Sequence, residues 1–311
     1  MKDGVVECVP NFSEGRDPKR VEAIISAMHV DGVRLLDWSM DADHNRSVIT
    51  IAGEPGLVLE SALRGVGKAV ELIDLTGQEG LHPRIGAADV IPFVPVSGMK
   101  LEQCVMLARQ AGLEIWRRFG VPVYFYEAAA SRPDRANLDD VRRGQFEGLR
   151  DAVRKEPARR PDLGGPGLHP TAGACVVGAR KFLVTYNVAL DSNDVAVARA
   201  IAREVRATFA GLKGVKAMGL LAQGRAQLSM NITDFKTTPL SHVYSTVSRF
   251  ASRHKTAPVE GEVVGLIPEA ACERESEWMR QLVEFDDETK ILERRLESPL
   301  AWPGEGNSTN T

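Results

Sequence analysis

The order of its strand-like and helix-like segments constrains the fold of this 311-residue chain more than any single motif. In the first half, the β-rich run Val5–Val9 precedes a helix that starts after Asp17-Pro18, an N-cap residue followed by a proline suited to the first helical turn. Two strand-like runs follow at 33–38 and 47–52. A second apolar helical stripe lies at 59–70, and a continuous apolar run at 90–96. This order, βαββαβ, is that of the ferredoxin-like fold.

The second half repeats that order without repeating the residues. A strand at Lys181–Leu190 leads to a helix over about 191–209. Two strands follow at about 215–221 and 226–235, then a helix after Thr238-Pro239 at about 240–250, and a last strand at 262–268. The sequence therefore predicts an α/β (α+β) chain of two ferredoxin-like βαββαβ subdomains. We place them at residues 1–178 and 179–300, and we expect a disordered tail at 301–311, which is rich in Gly, Ser, Asn and Thr.

The stretch from about 128 to 165 differs in composition from both halves. It follows a predicted helix at 101–116 and a predicted strand at 121–126, and it is charged and proline-rich. It ends in the sequence PDLGGPG at 161–167, where glycines and prolines favour turns. We interpret the stretch as a linker with some helix that ends in a candidate ligand loop.

The predicted strand at 226–233 indicates where a ligand would bind. Its apolar residues alternate with Gln227, Ser229, Asn231 and Thr233. Such a period of two is typical of a sheet with helices on one face and water or ligand on the other. Two such sheets could enclose a ligand cleft between the halves, although a solvated outer face explains the pattern equally well.

Composition limits the classes of partner. A net charge of −3 gives no general attraction to nucleic acid or to a membrane surface, so a small anionic substrate would be held by local arginines. No apolar run approaches the roughly 18–20 residues that span a bilayer. The four cysteines, which are far apart and form no CxxC pair, are typical of buried thiols in a reducing compartment. With no apolar signal-peptide core near Met1, we expect a cytoplasmic protein.

The segment LHPRIGAAD at 81–89 contains the best candidate for chemistry. It places the imidazole of His82 next to a proline, two residues before Arg84 and seven before Asp89. Asp89 could orient or tune the imidazole, and the planar guanidinium of Arg84 is suited to a carboxylate. A surface histidine, a helix cap and a satisfied core imidazole remain alternatives for His82, as does a surface position for Arg84.

Other motifs are weaker. The turn at 41–46 contains Asp43 and His44, but it lacks calcium-loop spacing and paired histidines for zinc, so a solvated turn is favoured over a metal site. Leu168-His169-Pro170 repeats Leu81-His82-Pro83 over three residues only. The sequence has no P-loop, no GxGxxG that opens a helix, no GxSxG and no HExxH, which leaves nucleotide cofactors, serine hydrolysis and zinc peptidase chemistry without support.

Taken together, several stretches resemble the formiminotransferase family over residues 6 to about 270. The ten-residue opening motif is the most specific of them. The stretches are VECVPNFSEG at 6–15, HPRIGA at 82–87 with Asp89, VPVYFY at 121–126, GARKFL at 178–183 and AQLSMN at 226–231.

The resemblance implies two ferredoxin-like subdomains, a folate-binding cleft between them and a homodimer. It implies transfer of the formimino group from N-formimino-L-glutamate to tetrahydrofolate, which would be a co-substrate, with no metal. His82 matches the catalytic histidine of the family. The folate-contacting loop corresponds to residues 163–172, with a second wall of the site extending to Gly173. There we expect ligand contacts from Leu163, Gly164, Gly165, His169, Thr171 and Gly173.

Four further roles come from side-chain chemistry and membership of these motifs. Arg46 and Arg84 are candidates to hold the carboxylates of glutamate and of the folate tail. Asn11 and Gln227 could supply oriented hydrogen bonds to the pterin or to the donor. His169 departs from the family pattern, because the animal enzymes have no histidine at that position of the loop.

The chemistry of the transfer suits an imidazole. N5 of tetrahydrofolate must lose a proton as it attacks the formimino carbon, and the departing glutamate nitrogen must gain one. An imidazole with an ordinary pKa of about 6.5 can serve both steps and typically contributes about 10²–10⁴ in rate. Neither a metal nor a covalent nucleophile is needed.

Three other functions remain open at this point. The donor could be N-formylglutamate or formiminoglycine, because the sequence does not show which residues form the donor pocket. The protein could bind folate without catalysis, or it could be a metal-dependent hydrolase that uses Asp43, His44 and His82. The chain has no segment for the cyclodeaminase that is fused to the transferase in animals, so we expect a separate cyclodeaminase as a partner.

Overall fold

The computed structural model describes residues 4–80, 82–206 and 212–304. It divides into two compact units: the residues up to Arg180 together with those from Pro299 onward, and Lys181–Ser298. None of the helices in these ranges is long and apolar enough to cross a membrane. The cysteines are free thiols, three of them buried and Cys272 half-buried.

The first unit has the predicted βαββαβ order and then continues. Its helices and strands are β1 (Val5–Cys8), β2 (Asn11–Phe12), α1 (Pro18–Ala27), β3 (Arg34–Asp41), β4 (Arg46–Gly53), α2 (Pro55–Leu72), β5 (Ala88–Ser97), α3 (Leu101–Phe119), β6 (Val123–Glu127), α4 (Leu138–Val141), α5 (Gln145–Lys155) and β7 (Cys175–Ala179).

The sheet of the first unit is a ferredoxin-like sheet with two additional strands. The strands β1 and β2 lie between β4 and β5, antiparallel to both, and β3 pairs with β4. Beyond β5, the strands β7 and β6 continue the sheet in parallel. The sequence did not predict β7, because it follows the proline- and glycine-rich loop as a short apolar run.

One face of this sheet packs on the helices α1, α2 and α3. The N-cap prediction for α1 is confirmed: a carboxylate oxygen of Asp17 accepts the backbone N–H of Lys19 at 3.0 Å, and Pro18 occupies the first turn. The helix buries Val21, Ile24 and Ile25 against the strands. Burial of such side chains stabilises the fold by roughly 1.5–3 kcal/mol each.

The predicted linker is part of the first unit. Val141 of α4, with Leu149 and Val153 of α5, packs on the second face of the sheet over β5, β6 and β7. The prediction of a linker was wrong here because arginines on the outer faces of these helices mask a short apolar stripe. The second face is therefore covered at this end of the sheet, contrary to the expected open polar face.

The second unit has the ferredoxin-like order without additional strands. Its antiparallel sheet has the order β11–β8–β10–β9 and packs on α6 and α7, and its last segment adds three short helices. The elements are β8 (Val184–Leu190), α6 (Val195–Arg206), β9 (Val215–Ala222), β10 (Arg225–Ile232), α7 (Leu240–Arg253), β11 (Pro258–Val264), α8 (Glu277–Arg280), α9 (Asp287–Lys290) and α10 (Leu292–Glu297). The end of the predicted helix, residues 207–209, lies outside the described residues.

The predicted alternation along β10 is confirmed. Leu228 and Met230 are buried under the helices, whereas Gln227 and Ser229 on the other face are half-buried. On this face, the Thr185 hydroxyl donates to Asn231 Oδ1 at 2.9 Å. Some polar groups on this face of the second sheet thus hydrogen-bond to one another.

The chain returns to the first unit after α10. Leu300 bridges to Leu35, and the buried indole of Trp302 stacks on His29 with ring centroids 5.2 Å apart. A disordered tail was expected from residue 301, but Trp302 is 6% exposed and packs on the first core. Residues 305–311 lie outside the described part of the chain.

Candidate active site

The segment that follows His82 is held by buried backbone contacts of the first unit. Asp89 Oδ1 accepts the backbone N–H groups of Ile85 at 2.7 Å and Gly86 at 3.2 Å. The Ser13 hydroxyl donates to the Gly86 carbonyl at 2.7 Å. A Cβ on Gly86 would lie 2.1 Å from the Ala174 carbonyl oxygen, so only glycine fits. These contacts fix the backbone three to four residues from the candidate imidazole.

Arg142 binds the other carboxylate oxygen of Asp89. Its Nη2 donates to Asp89 Oδ2 at 2.5 Å, and the two side chains are 8% and 3% exposed. Both oxygens of Asp89 thus bind groups other than the imidazole. The predicted influence of Asp89 on His82 therefore acts through the backbone of the segment and through the position of Arg142.

The His82 ring is half-buried, and its Nε2 is buried without a hydrogen-bond partner among the described residues. The ring of His44 lies edge-on to it, with centroids 6.5 Å apart. Burial, followed by the positive charges of Arg46 and Arg142, lowers the pKa of His82 to about 2. The imidazole is consequently neutral at physiological pH.

Arg46 lies at the start of β4, and its Nη2 donates to Asn11 Oδ1 in β2. The amide of Asn11 is oriented by donation to the Val9 carbonyl at 2.7 Å. Burial and the nearby Arg142 lower the pKa of Arg46 to about 10, so it stays charged at neutral pH. The predicted residues Asn11 and Arg46 are therefore in contact, and the charge of Arg46 acts on His82.

Arg84 contacts other parts of the first unit. Its guanidinium donates to both carboxylate oxygens of Glu147, at 2.8 and 3.2 Å, and to Gln145 Oε1 at 3.1 Å. It also donates to the Gln78 carbonyl at 2.6 Å. This fork, 6% exposed, ties the start of α5 to the segment that carries His82. Arg84 was predicted to bind a carboxylate of a substrate, but here the carboxylate that it binds is that of Glu147.

The candidate loop joins the same segment at its C-terminal end. The backbone N–H of Ala174 donates to the Ile85 carbonyl at 2.9 Å, and Leu75 donates to the Thr171 carbonyl at 2.9 Å. Gly173 has φ +69°, and a Cβ there would lie 2.1 Å from the Ile85 carbonyl oxygen. Residues 171–174 and the segment after His82 thus form one hydrogen-bonded structure.

His169 serves the turn of this loop. Its Nδ1 accepts the backbone N–H of Ala172 at 3.0 Å, and its backbone exchanges two hydrogen bonds with Gly173. Burial lowers its pKa, which suits a neutral acceptor.

The beginning of the loop lies beside β6. Leu163 forms a backbone bridge with Val123. Gly164 has φ +78°, and a Cβ on it would lie 2.7 Å from the Trp116 ring. Gly165, with φ +100°, precedes a cis peptide bond to Pro166. Both glycines are exposed.

Two further predicted residues are Gln227 and His44. Gln227 belongs to the second unit, where it faces Ala189 of β8 and Leu220 of β9. His44 Nδ1 lies 2.7 Å from the carboxylate of Asp41, not of Asp43. Within the described ranges, no three His, Cys, Asp or Glu side chains are placed to hold a metal ion.

Comparison with known proteins identifies the family of this chain. The chain matches the formiminotransferase domain, N-terminal subdomain, over residues 5–180 and the formiminotransferase domain over residues 185–294. The chain belongs to the formiminotransferase family. The resemblance predicted from the sequence is thereby confirmed.

Relatives in the formiminotransferase family match most of the chain. A glutamate formimidoyltransferase from Thermoplasma acidophilum is 44% identical over 94% of this chain and 97% of its own length. The glutamate formimidoyltransferase from Streptococcus pyogenes serotype M1 is 41% identical over 94% and 98%. A formimidoyltransferase-cyclodeaminase from Gallus gallus is 41% identical over 86% of this chain and 51% of its own length.

Sequence reasoning gave no role to Arg142, Gln78 or Ser47. The Ser47 hydroxyl, both amide atoms of Gln78 and the Nε atoms of Arg46 and Arg142 are buried without partners in the described part of the chain. Arg142 lies among many arginines of the presumed linker, and nothing in the sequence distinguishes it from them. Its partner Asp89 is 53 residues away, so only the tertiary fold brings them together.

Proposed function

We propose that this protein is a glutamate formimidoyltransferase, which transfers the formimino group of N-formimino-L-glutamate to N5 of tetrahydrofolate. One observation carries the proposal. In a chain of the formiminotransferase family, the imidazole of His82 has a buried nitrogen without a partner among the described residues, and the positive charges of Arg46 and Arg142 act on it. Relatives that match almost the full length have this name.

The imidazole performs the proton transfers. As N5 attacks, a bond forms between N5 and the formimino carbon, and His82 accepts the proton that N5 loses. The bond between that carbon and the glutamate nitrogen then breaks, and His82 returns the proton to the departing nitrogen. A neutral imidazole can begin this cycle, whereas a protonated one cannot. The lowered pKa of His82 also makes it a weaker base than an ordinary imidazole, so the general base needs a bound anion that offsets the positive charges of Arg46 and Arg142.

Folate and donor groups are assigned from the predicted residues. Tetrahydrofolate is the co-substrate, and no metal takes part in the proton transfers. We assign the loop residues 163–173, together with Asn11 and Gln227, to hydrogen bonds with the folate and the donor. Arg46 binds a carboxylate, whereas Arg84 and Asp89 position the segment that carries His82.

The biological setting follows from the reaction. We propose a role in histidine degradation and one-carbon metabolism in the cytoplasm, a homodimer as the working form, and a separate cyclodeaminase that consumes the product. The animal relatives combine both names in one protein, of which this chain matches about half.

A donor panel tests the proposal. Purified protein is mixed with tetrahydrofolate and either N-formimino-L-glutamate, N-formylglutamate or formiminoglycine, and mass spectrometry follows the folate product and the released amino acid. We expect 5-formimidoyltetrahydrofolate and glutamate in equal amounts with the first donor. A faster reaction with one of the other donors would replace the proposed substrate, and tight folate binding without any turnover would favour a folate-binding protein.

A further inference from the structure

Two guanidinium groups near His82 have buried donors without acceptors. Arg142 is 7% exposed and forms one side-chain hydrogen bond, to Asp89, while Arg46 binds the neutral amide of Asn11. The Nε atoms of both are buried and without partners in the described residues. Leaving such donors unpaired costs free energy, so their arrangement favours an acceptor from outside the chain.

Two guanidinium groups act on His82. The positive charges of Arg46 and Arg142 favour the neutral form of the imidazole. Of the nearby acids, Asp89 pairs with Arg142 and also binds two backbone amides, and Asp41 pairs with His44. Among the described residues, the guanidinium of Arg46 hydrogen-bonds to a neutral amide and to no carboxylate. The ligand that it fits is an anion with two oxygens.

The position beside the proton-transfer group selects among the carboxylates of the substrates. In an α-amino-acid donor, the reacting nitrogen and the α-carboxylate share one carbon, so a carboxylate carbon lies only about 2.5 Å from that nitrogen. The γ-carboxylate lies further along the side chain. The glutamate tail of folate is separated from N5 by the whole aminobenzoyl group. The α-carboxylate of the donor is thus the one that must lie next to His82.

We propose that Arg46 and Arg142 bind the α-carboxylate of the donor amino acid beside His82. This inference rests on the proposed function for the identity of the donor. The bound carboxylate neutralises part of the positive charge that acts on the imidazole. Donor binding then raises the basicity of His82 at the moment when a proton must be accepted.

Binding of the product amino acid tests this contact without turnover. Saturation-transfer NMR or calorimetry compares L-glutamate with two amides of nearly the same shape: L-glutamine, which keeps the α-carboxylate, and L-isoglutamine, which lacks it. We expect glutamine to bind within a few-fold of glutamate, and isoglutamine roughly 10- to 100-fold more weakly, as for loss of a charge-assisted hydrogen bond.

Substitutions assign the effect to the two arginines. Arg46→Gln and Arg142→Lys should each weaken the binding of L-glutamate by a similar 10- to 100-fold. They should also remove the preference for L-glutamate over L-isoglutamine. Arg143→Gln is the matched control, since that side chain is 76% exposed and pairs with Asp140 at the surface. Arg46→Gln keeps the test valid if Arg142 variants fail to fold, because the partner of Arg46 is a neutral amide.

Three results would overturn the inference. Isoglutamine could bind as tightly as glutamate, or both variants could bind glutamate like the wild type. The variants could also raise only the KM for tetrahydrofolate, which would assign the pair to the folate tail. Glutamate binding that depends on both arginines, without any formimino transfer by the wild type, would contradict the proposed function and leave this inference standing.

Discussion

The two units share a ferredoxin-like strand order but differ in what their polar side chains contact. In the second unit, the sheet alternates regularly, and Thr185 and Asn231 on its polar face bind each other. In the first unit, the corresponding sheet has two additional strands and two helices on its second face. There Asp89 and Arg142 are buried, and several polar atoms of Arg46, His82 and Arg142 have no partner in the described chain.

The ferredoxin-like fold alone does not produce the buried charges near His82. The βαββαβ core occurs in both units, whereas Arg142 and the loop before β7 belong to the part that only the first unit has. The additional segment supplies a buried cation and covers the sheet, which lowers the local dielectric and strengthens each charge effect. The buried pair of Arg142 and Asp89 therefore depends on the extension of the first unit.

The largest effect on activity should appear when one histidine of each unit is substituted separately. His82→Gln should lower kcat by about 10²–10⁴, because proton transfer loses its general base. His254→Gln is the matched control, since His254 contacts Glu204 at 2.6 Å in the second unit. Steady-state kinetics measures both variants, and circular dichroism confirms their folding. Equal activities of the two variants would remove His82 from the mechanism.

The next effect concerns a buried ion pair compared with an exposed one. Asp89→Asn should destabilise the protein by roughly 3–5 kcal/mol, because Arg142 would lose its buried carboxylate. Glu260→Gln in the second unit breaks an exposed pair with Arg225 and should cost less than about 1 kcal/mol. Urea unfolding gives both values. Similar losses would show that burial of the first pair has no energetic consequence.

Two buried groups of the first unit give opposite pH dependences of stability. The pKa of His82 is lowered by burial, so the unfolded chain binds a proton that the folded protein does not, and stability falls as pH drops below about 6.5. Burial raises the pKa of Glu7, which is 2% exposed, to about 7 against the opposing charge of Arg180. The folded protein then keeps a proton that the unfolded chain releases, and stability falls as pH rises from 4.5 to about 7.

Glu7→Gln separates these two contributions. The variant should gain stability relative to the wild type as pH rises from 4.5 to 7.5, by about 3 kcal/mol if the full shift is realised. Urea unfolding at both pH values measures the difference. The exposed Glu260→Gln variant should show no such trend. A constant difference between Glu7→Gln and the wild type would contradict the raised pKa of Glu7.

The smallest effect should come from the polar face of the second unit. Gln227→Ala should change the free energy of unfolding by less than about 0.5 kcal/mol, because Gln227 is half-buried and outside the core. If Gln227 binds folate, the KM for tetrahydrofolate should rise about 2- to 12-fold, the loss of one hydrogen bond. Ser229→Ala on the same strand serves as a comparison. An unchanged KM would remove Gln227 from the site.

Hydrophobic periodicity was sufficient to predict the two βαββαβ cores. It did not predict the packing of residues 128–165, because Val141, Leu149 and Val153 are separated by charged residues and their stripe is short. The family resemblance pointed to His82, and side-chain chemistry with motif membership suggested Asn11 and Arg46, all of which stay predictions. The sequence could not show that Arg84 binds Glu147, or that Nε of Arg142 has no partner in the described residues, because the contacts of these arginines join residues 63 and 53 positions apart.

The protonation state of His82 decides whether the free protein holds a neutral imidazole ready to accept a proton. The Cε1–H and ring ¹⁵N resonances of His82, assigned by comparison with His82→Gln, are followed by NMR from pH 8 to pH 5 in the free protein. Because burial, Arg46 and Arg142 hold its pKa at about 2, the resonances should not change toward those of imidazolium. A titration with a midpoint near 6.5 would contradict a neutral imidazole held among positive charges, and with it the proposed start of the proton transfer.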